Sequence, residues 1–312
     1  MQKKFTLYCF LFFTPLLLGY GTVEWLTRSI PSVYSINEKY LEKRADTIET
    51  LILGSSQVMN AVNAAWISNP TINLASGSQH HDTDFKLLKG MFPVLPSLKN
   101  VVIEVSYSHF EMPHNGKDFW KNSLNLHYYN INCFERNTYF KDHLLYLSHP
   151  SFFSKRIEEY YIDKKNIPNF NEYAFNFNDI YGQFAKKNYN KVEIDTIKRF
   201  KINTEPNPII FQQNVSLFFE MLATVKAHQK NIIVCTTPMY TSYLKKRNPE
   251  ILRRRDSIFE VIQKKYPDIK FLKLEEDTTN YQLKNYWNHS HLNPTGAKIF
   301  TKQLDSLLKN FK

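Results

Sequence analysis

The chain has 312 residues, 43% of them hydrophobic, three cysteines and a formal net charge of +11. That length holds one large domain or two small ones, with ample apolar material for a core. Three cysteines without a CxxC spacing exclude a disulfide framework and a cysteine zinc site, leaving at most a Cys133–Cys235 bridge. Apart from Lys245–Arg247 and Arg253–Arg255 the basic residues are scattered, which describes a solvated surface beside an anionic membrane rather than a nucleic-acid groove.

At the N-terminus, Lys3 and Lys4 precede the almost wholly apolar run from Phe5 to Val23. Nineteen helical residues span roughly 28 Å, close to the hydrocarbon thickness of a bilayer. The run is longer than a signal-peptide core and lacks a small-residue cleavage pattern. It therefore predicts an uncleaved anchor at residues 1–25, with the lysines cytoplasmic and Tyr20 and Trp25 at the far interface, and the competing reading is a cleaved signal peptide. A stalk with a lead-in helix follows over 26–47, and residues 48–312 lie outside the cytoplasm, in the periplasm if the cell is Gram-negative.

Short apolar runs then recur, each closing on small or polar residues. They are Thr50–Leu53, Thr71–Leu74, Val101–Val105, Asn231–Cys235 and Ile269–Leu274. Continuous runs of this length fit strands buried on both faces of a parallel sheet. Helical periodicity lies between them. Phe211, Val215, Phe218, Leu222 and Val225 share one face. Asn248 followed by Pro249, and Asn293 followed by Pro294, read as a cap and a first turn. In the last helix the expected buried face is Ala297, Phe300, Leu304 and Leu307. The alternation predicts a three-layer α/β/α domain with a doubly wound, flavodoxin-like sheet. Residues 110–205 are rich in Tyr, Phe, Asn, Lys and His, and too long for a plain loop. They read as an insertion over the carboxyl ends of the strands, the edge where such sheets bind ligands.

Two segments can carry chemistry at that edge. Gly54-Ser55-Ser56 ends the first strand where a helix is expected, so a serine hydroxyl stands beside backbone N–H groups that could stabilise an oxyanion. Each serine could equally be a helix cap. Asn288-His289-Ser290-His291-Leu292-Asn293-Pro294 precedes the final helix, and a histidine there could serve as general base and then acid, or be a solvated loop residue. His80, His81 and Asp82, taken with His289 and His291, match no common zinc spacing, so neither metal nor cofactor is expected.

Strand-end serine first and loop histidine last is an order that resembles the SGNH/GDSL hydrolases, whose first block is G-D-S and whose last is D-x-x-H. The HLN-x-x-GA run at 291–297 is similar to the last block of DltD-like membrane-anchored SGNH proteins, which often read G-S-S. The resemblance covers the anchor, the strands and both end blocks, but not residues 110–205. It implies Ser56 as nucleophile and His291 as base. It places the second-block oxyanion glycine at Gly77 or Ser76; Gln79 and His80, which follow the second strand, are expected to line the same cleft. The third block normally supplies an asparagine, where this chain reads Ser106-Tyr107-Ser108, so Ser106 or Tyr107 would donate instead. Asn288 stands where the family has aspartate. A Ser–His dyad, a triad with Asn288, and a site without turnover all stay open, with Glu275, Glu276, Asp277 or a backbone carbonyl as other groups that could orient His291.

The implied function is an extracytoplasmic, membrane-anchored esterase or O-acyltransferase acting on acyl groups of cell-envelope polysaccharide. Its partners would be an acylated glycan or acyl donor and a membrane-bound O-acyltransferase. The competing expectation is a non-catalytic accessory that binds an envelope glycan or such a partner through an inherited cleft.

Overall fold

The computed structural model describes residues 2–134, 136, 138–178, 182–197 and 200–311. The helices in chain order are α1 (Gln2–Ser29), α2 (Val33–Arg44), α3 (Ser56–Ala61), α4 (His81–Met91), α5 (Asn122–Tyr129), α6 (Leu145–Ser148), α7 (Pro150–Ile157), α8 (Lys191–Asp195), α9 (Pro208–Ala227), α10 (Thr241–Leu244), α11 (Pro249–Lys265) and α12 (Pro294–Lys309). The main strands are β1 (Thr50–Leu53), β2 (Thr71–Asn73), β3 (Asn100–Glu104), β4 (Asn231–Thr236) and β5 (Lys270–Lys273). Two short strands follow, β6 (Tyr286–Asn288) and β7 (His291–Leu292).

The chain divides into two compact units. One holds residues 33–116 and 169–312. Its sheet runs β2-β1-β3-β4-β5 with every pairing parallel. This is the flavodoxin-like order, and it fits the expected α/β class. Strand side chains alternate between faces. Ile52, Val102 and Ile233 join Val58, Ala61, Phe300, Leu304 and Leu308 in one core, where α3 packs against α12. Leu51, Leu53, Val101 and Ile103 alternate with them and are also fully buried, and α4 packs against α9. Burial on both faces explains why these strands read as unbroken apolar runs.

Two local expectations shift. β5 is the sheet edge and only partly buried, which accounts for the lysines at both its ends. In α12 the innermost position after Leu304 is Leu308, one helical turn on, and Leu307 is only partly buried. The expected caps at Asn248 and Asn293 are present. Asn248 accepts from the Glu250 amide and Asn293 from the Gly296 amide, each before a first-turn proline. Cys133 and Cys235 are both buried and do not form the bridge.

The other unit holds residues 1–32 and 117–168, so only this part of the expected insertion groups with the N-terminal helix. Helix α1 is long and apolar enough to cross a membrane. Its C-terminal end is clasped by hydrogen bonds. Glu24 accepts from the amides of Leu145 and Tyr146 and pairs with Arg28, and Arg28 reaches the His127 ring. A buried Asp142 takes hydrogen bonds from Arg136, Asn122 and the Thr138 amide.

Candidate active site

The two serines of the turn after β1 have different partners. Ser55 is the N-cap of α3, and its hydroxyl accepts from the Gln57 amide at 3.2 Å and donates to the Glu104 carboxylate at 3.0 Å. Ser56 is the first residue of the helix, and its Oγ lies 2.8 Å from Nε2 of His291. The ambiguity of G-S-S thus resolves by geometry into one capping serine and one facing the histidine.

His291 is carried by a two-residue hairpin. β6 and β7 pair antiparallel with Asn288 opposite His291, so the N-x-x-H spacing makes them cross-strand neighbours. The His291 Nδ1 lies 2.9 Å from Oδ1 of Asn288. The same Oδ1 accepts from the Ser290 amide at 2.9 Å. A backbone N–H can only donate, so this atom is the amide oxygen. The His291 Nδ1 therefore carries the proton, and Nε2 offers its lone pair to the Ser56 hydroxyl. Burial holds the His291 pKa down to about 4, so the ring is neutral over the ordinary working range.

The hairpin is anchored at the start of α12. The Asn293 amide donates to the Asn285 carbonyl at 2.9 Å, and its side chain donates to the Lys284 carbonyl at 2.7 Å. A Cβ on Gly296 would lie 2.3 Å from the Asn285 carbonyl oxygen, which explains the glycine in the HLN-x-x-GA run. β7 packs on α3, bringing the histidine to the serine.

The amides around the turn are almost all engaged. Those of Ser55 and Val58 donate to Glu104, at 2.8 and 3.2 Å, and that of Gln57 donates to Ser55. Among the described residues, the Ser56 amide has no acceptor. It is a donor beside the Ser56 hydroxyl, where an oxyanion would form.

The other expected cleft residues surround the turn but spend their polar groups on protein. The Ser76 amide donates to the Gly54 carbonyl, and its hydroxyl links Tyr34 to Gln79. Gln79 donates to Leu74 and Asp84. The Ser106 amide donates to Nδ1 of His109. Tyr107 donates to the Asn203 carbonyl, and Gly77 occupies the turn after β2. Of the acids weighed as orienters, Glu275 is buried against Arg255 and Arg247, and Asp277 caps its own loop. Glu276 pairs with Arg247.

Two residues at this edge were missed. Glu104 is fully buried at the end of β3, and burial raises its pKa to about 7. A charge closing the run Val101-Val102-Ile103 was the available signal. Asn73 donates to the Val58 and Val62 carbonyls, closing the far end of α3. The neighbouring histidines are neutral through burial. His81, pushed down to about 3, donates to the Glu104 carbonyl, and His109 is held well below the ordinary value. Among the described residues no three His, Cys, Asp or Glu side chains are grouped to hold a metal ion.

No family model matches the chain, and no curated protein does. Solved structures match at 10% identity. A GDSL-like lipase from Bacteroides thetaiotaomicron aligns over 88% of this chain and 98% of its own, with a TM-score of 0.39. A protein from Bacteroides fragilis, provisionally named an acylhydrolase, aligns over 88% and 95%, also at 0.39. A Streptococcus pneumonia protein, provisionally named a platelet activating factor, aligns over 97% and 99% at 0.41. The chain is an α/β protein, and its strand order, its serine turn after β1 and its histidine hairpin before the last helix are the arrangement that the resemblance to SGNH/GDSL hydrolases implies.

Proposed function

We propose that the protein is a serine esterase or O-acyltransferase in which Ser56, His291 and Asn288 form the catalytic triad. One observation carries the reading: a continuous hydrogen-bonded line from Ser56 Oγ through the His291 ring to Asn288 Oδ1, with the proton placed on Nδ1. His291 takes the Ser56 proton on Nε2 as the hydroxyl attacks an acyl carbonyl, and the free Ser56 amide donates to the oxyanion. The imidazolium then protonates the departing oxygen, leaving an acyl group on Ser56. Water or a sugar hydroxyl gives its proton to His291, attacks the acyl group and regenerates the serine. Asn288 supplies the orienting acceptor usually provided by aspartate, without its charge. Amide orienters serve this role in papain-like proteases.

The cellular setting is part of the same proposal. Helix α1 anchors the protein in the inner or plasma membrane with the sheet unit outside the cytoplasm, and the substrate is an acyl ester of an envelope polysaccharide, supplied or received through a membrane-bound O-acyltransferase. The length and apolarity of α1 and the DltD-like form of the last block support it. The test is turnover of p-nitrophenyl acetate and of acetylated envelope glycan by the full-length protein in detergent or nanodiscs. Turnover that disappears in Ser56→Ala supports the reading. Turnover absent in the wild type, with cellular function intact in a Ser56→Ala/His291→Ala double variant, would instead establish the non-catalytic accessory.

A further inference from the structure

Under the nucleophile turn lies a carboxylate with no place in the triad. Both Glu104 oxygens are engaged: the Ser55 hydroxyl lies 3.0 Å from each, and the Ser55 and Val58 amides donate to Oε2 at 2.8 and 3.2 Å. This side chain also dictates Gly54. With φ at +147°, a Cβ on Gly54 would sit 2.6 Å from the Glu104 Cβ and 2.7 Å from its Oε2. Two amides and a hydroxyl that all donate to it suit the ionised carboxylate, whereas burial favours the acid, for which the Ser55 hydroxyl can act as acceptor.

We propose that Glu104 is a positioning residue, whose ionised carboxylate fixes the Gly54–Val58 turn so that the Ser56 amide is left free and the Ser56 hydroxyl points at His291. The inference rests on the serine-esterase reading above. By accepting the Ser55 and Val58 amides, Glu104 occupies the donors on either side of Ser56 and none at Ser56 itself. Protonation reverses the contact with the Ser55 hydroxyl, which then accepts from Glu104 and leaves its own hydrogen without that acceptor, so the turn is held less firmly. Turnover therefore depends on the Glu104 charge as well as on neutral His291.

The groups facing Glu104 come from three neighbouring elements. His109, in the turn after β3, approaches Oε1 with Nε2 at 3.9 Å, too far for a hydrogen bond. From α4, His81 is engaged at the Glu104 carbonyl, and the buried Asp84 lies beside the Gly54 amide. From β4, Cys235 is paired in register with Glu104. Burial keeps both histidines neutral and raises the Cys235 thiol well above its ordinary value. Burial also raises Asp84 well above the ordinary carboxylate range, so its ionisation has to be separated from that of Glu104.

The experiment is the pH profile of kcat for p-nitrophenyl acetate with full-length wild type, Ser56→Ala, Glu104→Gln, Glu104→Asp and Asp84→Asn, each checked for folding by circular dichroism. In the wild type kcat is expected to rise through an ionisation near pH 7. Glu104→Gln should lower kcat at pH 8 by about 10- to 1,000-fold with KM nearly unchanged, and should lose that rise. Glu104→Asp should recover part of kcat and keep a rise, and Asp84→Asn should keep the rise. If Glu104→Gln does not fold, the Glu104→Asp and Asp84→Asn profiles decide. Wild-type kcat and pH profile in Glu104→Gln or Glu104→Asp, or loss of the rise in Asp84→Asn alone, overturn the positioning role. Turnover unchanged by Ser56→Ala overturns the esterase reading and the inference with it.

Discussion

The Ser56 Oγ and the His291 Nε2 stand 2.8 Å apart although 235 residues separate them in the chain. A helix cap needs no such partner, and a solvated loop histidine has none. Ser56→Ala should therefore reduce ester turnover by roughly 10⁴- to 10⁶-fold, and His291→Ala by a similar factor. The double variant should be no worse than either single one, because the two act as a unit. Steady-state kinetics of the three variants check this. Additive losses would show that they act separately.

Burial sets the basicity of His291, and Asn288 is the position from which it can be changed. Asn288→Asp places a negative charge at the position now 2.9 Å from Nδ1. An opposite charge favours the imidazolium, so the His291 pKa should climb from about 4 toward or beyond its ordinary 6.5. The ring is then a stronger base at pH 8, and kcat should rise severalfold or more. Asn288→Ala removes the tautomer lock and should lower kcat by about 10- to 1,000-fold. NMR titration of the His291 ring reads the first effect directly, and an unmoved midpoint would contradict it.

Glu104 carries a stability prediction of defined sign. Its folded-state pKa, about 7, is raised above the ordinary 4.5 by burial. The folded protein thus holds this proton more tightly than the unfolded chain. The associated stability is full below pH 4.5 and is lost as pH rises through 7, a change on the order of 3 kcal/mol. Glu104→Gln has no such proton to lose. Its melting temperature relative to wild type should rise between pH 5 and pH 8, measured by calorimetry at both. A difference independent of pH would contradict this.

The glycines at 54 and 296 are demanded by close approach. Alanine at Gly54 meets the Glu104 side chain at under 3 Å in a backbone conformation unfavourable to it, and alanine at Gly296 meets the Asn285 carbonyl. Each substitution should destabilise the protein by about 2–4 kcal/mol. Urea unfolding measures the loss. Gly54→Ala should also abolish turnover, since it displaces the serine turn.

Much of this was legible in local pattern. The parallel strands announced themselves as apolar runs, and Asn248-Pro249 and Asn293-Pro294 marked helix starts by cap chemistry alone. Ser56 and His291 were visible through their places at strand end and helix entrance. Glu104 was not, because a single carboxylate closing a strand looks like the start of a loop until the turn of another strand is laid over it. Nor did Ser76 and Gln79 reveal that their polar groups face Tyr34 and Asp84. The grouping of residues 117–168 with α1 depends on Glu24 accepting amides more than 100 positions away, which no local periodicity encodes.

The central claim is that Ser56 is a nucleophile activated by His291. The most direct measurement is peptide mass mapping of the full-length protein after treatment with a fluorophosphonate. The adduct should sit on Ser56 and not on Ser55, and should vanish in Ser56→Ala and in His291→Ala. No adduct on the wild type, or one on Ser56 that forms at the same rate in His291→Ala, would contradict it.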